Sequence, residues 1–151
     1  MTATLDELLA ETEKTFDPWA AKYHLRGPVS ERKNMYYRAG YFGEIVSLEL
    51  LVEFDYFFVY ASPFLPGSND ELVSTRVAPD GHVRKMFLGQ ALDRLHISGA
   101  PEEDAMKKLG GSANNFRPMI DALATLLDRV WPEIATHAAI LFPDAKPRLS
   151  P

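Results

Sequence analysis

The chain has no cysteine, which removes disulfides, thiolate nucleophiles and every cysteine-based zinc site at once. That composition suits a reducing compartment. Positive charge is also short: 16 Lys and Arg stand against 21 Asp and Glu, a net charge of −5. A general nucleic-acid binder needs a basic face to neutralise phosphates, so that class is not expected. The longest apolar stretches are broken by Glu49, Glu53 and Asp55, which leaves no expected membrane span. Met1 to Glu7 lacks the basic and apolar segments of a secretion signal, so a cytoplasmic location is expected. No internal repeat or low-complexity tract occurs.

What remains is enough for a core. The 151 residues, 46% hydrophobic, fit one domain that can bury most of its apolar side chains without a metal or disulfide staple. We expect that domain to span 1–143, with a flexible tail over 144–151, where Asp144 leads into two prolines.

Helical spacing dominates both ends. Thr4 and Glu7 have capping-box spacing, and Leu5, Leu8, Leu9, Phe16 and Trp19 follow as one apolar stripe. Asp17-Pro18 predicts a break or restart there, and Gly27-Pro28 predicts a closing turn. A short charged helix is expected after Pro101, with Glu102, Glu103 and Asp104 leading and Lys107 and Lys108 trailing, as the helix dipole favours. Phe116, Ile120, Leu123, Leu127, Val130, Trp131 and Ile134 predict the strongest amphipathic helix, with Pro132 as a kink or divider. Val83, Phe87, Ala91 and Leu95 favour a further helix over 83–95.

The middle is different. Ten of the 17 aromatic residues fall between Tyr36 and Phe64, mixed with Ile45, Val46, Val52 and Val59, a composition suited to strands. Gly40 and Gly43 read as turn or bulge positions. Leu48, Leu50, Val52, Phe54, Tyr56, Phe58 and Tyr60 alternate with Glu49, Leu51, Glu53, Asp55, Phe57 and Val59, which puts the two sets on opposite sheet faces. Whether 53–56 is a hairpin turn or mid-strand stays open, because no Gly or Asn marks a turn. A strand over 72–77 and turns at Pro66-Gly67 and Pro79-Asp80-Gly81 complete the pattern. Helices at both ends of a strand-rich middle predict an α+β fold, an antiparallel sheet of about four strands packed against the N- and C-terminal helices.

Motifs for chemistry are incomplete. His24, His82, His96 and His137 stand singly, without the i, i+4 pairing of a helical metal site. Gly110-Gly111-Ser112 lacks the lysine and preceding strand of a phosphate loop, and ends a helix more simply. Asp80-Gly81-His82 beside Arg84 and Lys85 is explained by a tight turn. No metal or cofactor is therefore expected. The best candidates are Glu49, Glu53 and Asp55. Alternate strand residues lie about 6.5–7 Å apart, so these carboxylates would form an acidic ledge rather than a tight catalytic dyad. Phe57 would add an apolar anchor beside them, and such patches mark interfaces.

The segment Val46 to Tyr60, the Asp80-Gly81-His82-Val83-Arg84 turn and the amphipathic C-terminal helix together resemble small bacterial immunity-type proteins. That resemblance implies a non-enzymatic inhibitor that binds a cognate toxin through an acidic surface, with Glu49, Glu53, Asp55 and Phe57 as its partner-binding residues. A dimeric secretion chaperone, also small, acidic and α+β, is the second binding-class reading. A small hydrolase using Glu49, Glu53 or Asp55 with a distant histidine is the enzyme reading. The expectation is a protein partner, not a membrane or a nucleic acid, with a homodimer allowed.

Overall fold

The computed structural model describes residues 5–33, 36–44, 46–53, 56–63, 85–109 and 116–143; for Leu5, Glu53, Tyr56–Pro63, Leu109 and Phe116 it describes the backbone alone. Within them the chain is α+β, with helices flanking an antiparallel sheet. The expected strand over 72–77, the Asp80-Gly81-His82 and Gly110-Gly111 turns and the 144–151 tail lie outside the described residues.

Helix α1 (Leu5–Lys22) buries Leu8, Thr12, Phe16, Trp19 and Ala20 along one stripe, as the i, i+4 spacing dictates. Pro18 lies inside this helix rather than breaking it. Proline in a helix interior costs about 3 kcal/mol, but Phe16 before it and Trp19 after it are both buried, and their packing keeps the helix in one piece.

The sheet has the order β1-β2-β3-β4-β5, all neighbours antiparallel. Its strands are β1 (Arg26–Arg32), β2 (Tyr36–Phe42), β3 (Val46–Glu53), β4 (Tyr56–Pro63) and a two-residue β5 (Met86–Phe87). Gly27-Pro28, read from sequence as a turn, belongs to β1, where Gly27 takes φ 122°. A Cβ there would approach the Gly40 carbonyl oxygen to 2.6 Å, so the β1–β2 pairing requires glycine twice over. Gly40 itself is no turn; it pairs with Val29 and Glu49 in mid-strand. Strands β3 and β4 pair from Glu53 opposite Tyr56. The long alternation from Leu48 to Tyr60 is therefore a hairpin and not one strand.

The expected helix over 83–95 is shorter. Met86 pairs with Ala61 and is buried, so its backbone serves the sheet, and α2 begins only at Leu88 (Leu88–Arg94). Gln90 Oε1 accepts from the Phe87 N–H at 3.2 Å, which helps fix that start. Helix α3 (Glu102–Leu109) carries its acids first and its lysines last, as expected. Helix α4 (Phe116–Thr136) runs through Pro132, and α5 (Ala138–Leu141) adds one turn.

One face of the sheet meets the helices. Tyr37, Ala39, Tyr41, Leu48, Leu50 and Val52 are buried there with Ile120, Leu123, Leu127, Trp131 and Ile134 of α4. Tyr37 donates to the Leu8 carbonyl at 3.0 Å and also bonds the Thr12 hydroxyl, while Tyr41 donates to Asp17 at 2.7 Å. Burial pushes both phenols well above the ordinary tyrosine range. The hydroxyls tie α1 to β2. Trp19 packs edge-on against Trp131, with ring centres 5.2 Å apart. Ion pairs Glu11–Arg117 and Lys22–Asp128 follow both helices in the same direction, so α1 and α4 lie side by side in a parallel sense.

Candidate functional site

Of the four residues expected to bind a partner, only Glu49 has a described side chain, and it is not on a ledge. The side chain is 4% exposed. Arg38 Nη2 donates to Oε1 at 2.7 Å and Lys85 Nζ donates to Oε2 at 2.8 Å. Arg38 also reaches Glu31 at 3.4 Å, and Glu31 leads the chain of charges out toward solvent. Glu49 therefore neutralises two buried cations inside the sheet's second face. A carboxylate with both oxygens committed to buried donors does not steer or meet a partner, so Glu49 leaves the partner-binding set.

The register separates the other candidates. Glu53 ends β3 opposite Tyr56, whereas Phe57 pairs with Val52 and not with the Glu49–Glu53 series. The period-two count from Glu49 through Phe57 fails because the chain reverses between β3 and β4. Asp55 lies outside the described residues. Lys85, which the sequence places at the start of a helix over 83–95 beside the Asp80-Gly81-His82 turn, is instead a buried partner of Glu49.

The histidines do not converge either. His24 and His96 have φ of 60° and 56°, the left-handed region that costs an ordinary residue about 1–2 kcal/mol. Both close helices in the same way. Leu25 N–H bonds the Ala20 carbonyl at 2.8 Å and His24 N–H bonds Ala21 at 3.3 Å; Ile97 bonds Leu92 at 2.9 Å and His96 bonds Asp93 at 3.2 Å. This is the Schellman arrangement, with histidine where glycine is usual. His137 lies within 3.4 Å of Glu133 on the helix surface. His82 lies outside the described residues. Among the described residues, no group of three His, Asp or Glu is placed to hold a metal ion.

The first of these caps borders a cleft of about 390 Å³. Its apolar lining comes from Leu25, Val46, Trp131 and Ala135, and its polar lining from Tyr23, His24, Arg26 and Glu44. Trp131 and Val46 are buried and fixed in the core, whereas His24 and Glu44 are exposed. Gly43 completes the wall. A Cβ at that position would collide with the Val46 carbonyl oxygen and the Leu25 side chain, so the β2–β3 turn approaches the α1–β1 turn closely only because glycine is there. Tyr23 is held at the mouth by its hydroxyl, which donates to the Asp128 carboxylate at 2.8 Å and to the Asp128 carbonyl at 2.9 Å. Partial burial, and then the bond to Asp128, raise the Tyr23 phenol above its ordinary range. Lys22 bonds the same carboxylate at 2.6 Å, and hydrogen bonds from Lys22 and Tyr23 hold Asp128 below the usual carboxylate range.

Chemically the cleft offers a rigid apolar floor inside a charged, hydrogen-bonding rim. Such a surface is suited to a bulky apolar group with polar atoms attached. Sequence reasoning missed it because its lining comes from four separate elements. Trp131 reads as core and His24 as an isolated residue; the only available signal is Gly43 following the aromatic pair Tyr41-Phe42. Comparisons with protein-family models, with curated proteins and with solved structures found no match to the chain.

Proposed function

We propose that this domain acts by binding another protein, and that the cleft beside Trp131 is where the partner is gripped. The observation that supports this is the arrangement of the cleft itself: a buried apolar floor within a ring of exposed and half-buried polar side chains. That is the anatomy of an interface hot spot, where a large side chain enters a dry pocket and the rim excludes water. The resemblance to immunity-type proteins makes neutralisation of a toxin the specific form of that binding, with the cleft taking the place of Glu49 as the anchor.

The test is affinity purification of tagged chain from its host, followed by reconstitution from the purified components. Ala135→Phe, which fills the cleft from a half-buried position on α4, is carried in parallel. We expect one stoichiometric partner whose activity the chain inhibits, and at least about a tenfold loss of affinity with Ala135→Phe, as for a blocked hot spot. A partner bound equally by both proteins would remove the cleft from the account. Recovery of no partner at all would remove the binding function.

A further inference from the structure

The polar groups around the cleft mouth are not equally available. The Tyr23 hydroxyl is spent on Asp128, at 2.8 Å to its carboxylate and 2.9 Å to its carbonyl. Lys22 and Asp128 offset one another's charge at 2.6 Å, and Arg26 has a partner of its own. Two lining side chains differ. Glu44 and His24 are exposed, and neither makes a side-chain hydrogen bond or ion pair among the described residues. A carboxylate only accepts hydrogen bonds, and a neutral imidazole offers one acceptor nitrogen. The open chemistry of the rim is therefore that of acceptors, and the one lining charge without a partner is negative. Both groups follow backbone that the fold fixes. Glu44 comes directly after Gly43, where a Cβ would collide with Leu25 and the Val46 carbonyl oxygen. His24 closes α1 at φ 60°, with the next N–H, that of Leu25, bonded to the Ala20 carbonyl at 2.8 Å.

Resting on the protein-binding reading, we propose that the partner presents a basic side chain directly beside the large apolar one that fills the cleft. The apolar group takes the floor of Leu25, Val46, Trp131 and Ala135. The cation stays at the mouth, where Glu44 neutralises it and His24 accepts a further hydrogen bond. Arginine suits this place best, because its guanidinium carries five donors and meets a carboxylate through two parallel bonds. The pair needs no burial, so it avoids the loss of hydration borne by Arg38, Glu49 and Lys85 inside the sheet. The chain's net charge of −5 acts in the same direction, drawing a cationic surface toward it. An exposed pair of this kind adds little affinity and chiefly selects among partners. An acidic residue beside the anchor would instead meet Glu44 as a like charge.

The probes are acetyl-Ser-Arg-Phe-Arg-Ser-amide and its versions with glutamine or glutamate in place of arginine, titrated at millimolar concentration against the full chain. The Trp131 indole N–H shift reports on the floor, and the His24 and Glu44 amide shifts report on the rim. We expect the arginine peptide to move all three signals and to bind about threefold or more tighter than the glutamine version, as exposed charge pairs allow. The glutamate version should bind most weakly. Glu44→Lys, at an exposed position, should reverse that order, which the loss of a merely structural contact would not do. Ala135→Phe should abolish the floor response to every peptide. The wild-type order persisting in Glu44→Lys would show that the peptides follow net charge and not Glu44, and would overturn the proposal. Equal affinity for the three peptides, shifts confined to other residues, or no response would overturn it as well. A partner recovered by affinity purification and weakened by Ala135→Phe despite such a result would leave the protein-binding reading standing, so the two failures are distinguishable.

Discussion

The two faces of strand β3 are buried to the same degree by opposite chemistry. Leu48, Leu50 and Val52 face the helices at 0–1% exposure, and Glu49, between them, is 3% exposed on the other side. On the helix face, stability comes from removing apolar surface from water, and each side chain contributes independently. On the Glu49 face, Arg38, Glu49 and Lys85 are tolerable only together. Each has lost its hydration, and the attraction among them offsets that loss rather than adding a surplus. Burial alone therefore does not say what a residue contributes.

The sharpest way to break this comparison is Glu49→Gln, which removes the charge of the carboxylate that Arg38 and Lys85 share. We expect a loss of about 3–5 kcal/mol, a large part of a domain's total stability, read as a lowered denaturant midpoint. Replacing Arg38, Glu49 and Lys85 together by Met, Leu and Met should recover most of that loss. Leu50→Ala on the opposite face should cost about 2–5 kcal/mol. A triple variant as unstable as Glu49→Gln would show that the ionic face contributes in its own right.

A smaller effect is expected at Arg129. Its guanidinium donates to the Ser98 carbonyl at 2.9 Å, the Ala100 carbonyl at 3.2 Å and Glu102 at 2.8 Å, and so fastens the start of α3 to α4. Its hydrogen bond, the largest cause, holds the Glu102 carboxyl below the usual range. Because Arg129 is 41% exposed, Arg129→Ala should cost only about 1–2 kcal/mol. Hydrogen exchange should show the loss concentrated in residues 98–109.

The two histidine caps offer a gain. His24→Gly and His96→Gly each relieve a left-handed residue and should stabilise the fold by up to about 1 kcal/mol, read as a raised unfolding midpoint. No gain at either site would mean that the side chains compensate the strain through contacts of their own.

The smallest effects are those of pH, and two carboxyls should respond with opposite sign. Asp128 is depressed by its bonds to Lys22 and Tyr23, so its stabilisation is present above the ordinary aspartate value and lost as pH falls through the lower folded value. Glu13 is raised, first by burial and then by Asp17, so it binds its proton more tightly when folded and weakens the fold as pH rises. Asp128→Asn should lower the midpoint at pH 7 and lose that effect progressively in acid, whereas Glu13→Gln should raise it at pH 7 and lose that advantage in acid.

The sequence made the helix-facing half of the molecule legible. The stripes of α1 and α4 and the Leu48-Leu50-Val52 alternation follow from periodicity, and the structure buries Leu8, Phe16 and Trp19 of the first, Ile120, Leu123, Leu127, Val130, Trp131 and Ile134 of the second, and all three of the last. The failures share a physical cause. Period two separates two faces but says nothing of what covers the second, so Glu49 reads as part of an exposed, partner-binding ledge. Gly27-Pro28 reads as a turn and β1 goes unseen, because an exposed edge strand needs no apolar pattern. Phe57 was misplaced because the β3–β4 reversal carries no Gly or Asn near 53–56. Pro18 reads as a break or restart and Pro132 as a kink or divider, but both lie within helices whose buried residues nearby, Phe16 and Trp19, and Trp131 and Ile134, outweigh the local cost. None of the cleft was legible, since it exists only where the α1–β1 turn, the β2–β3 turn and α4 meet.

The most direct test of the account is the affinity of the recovered partner for Ala135→Phe beside wild type, each first shown to be folded by its unfolding midpoint. The account predicts a folded variant that binds at least about tenfold more weakly. A folded Ala135→Phe that binds as tightly as wild type would contradict it and place the partner surface elsewhere on the molecule.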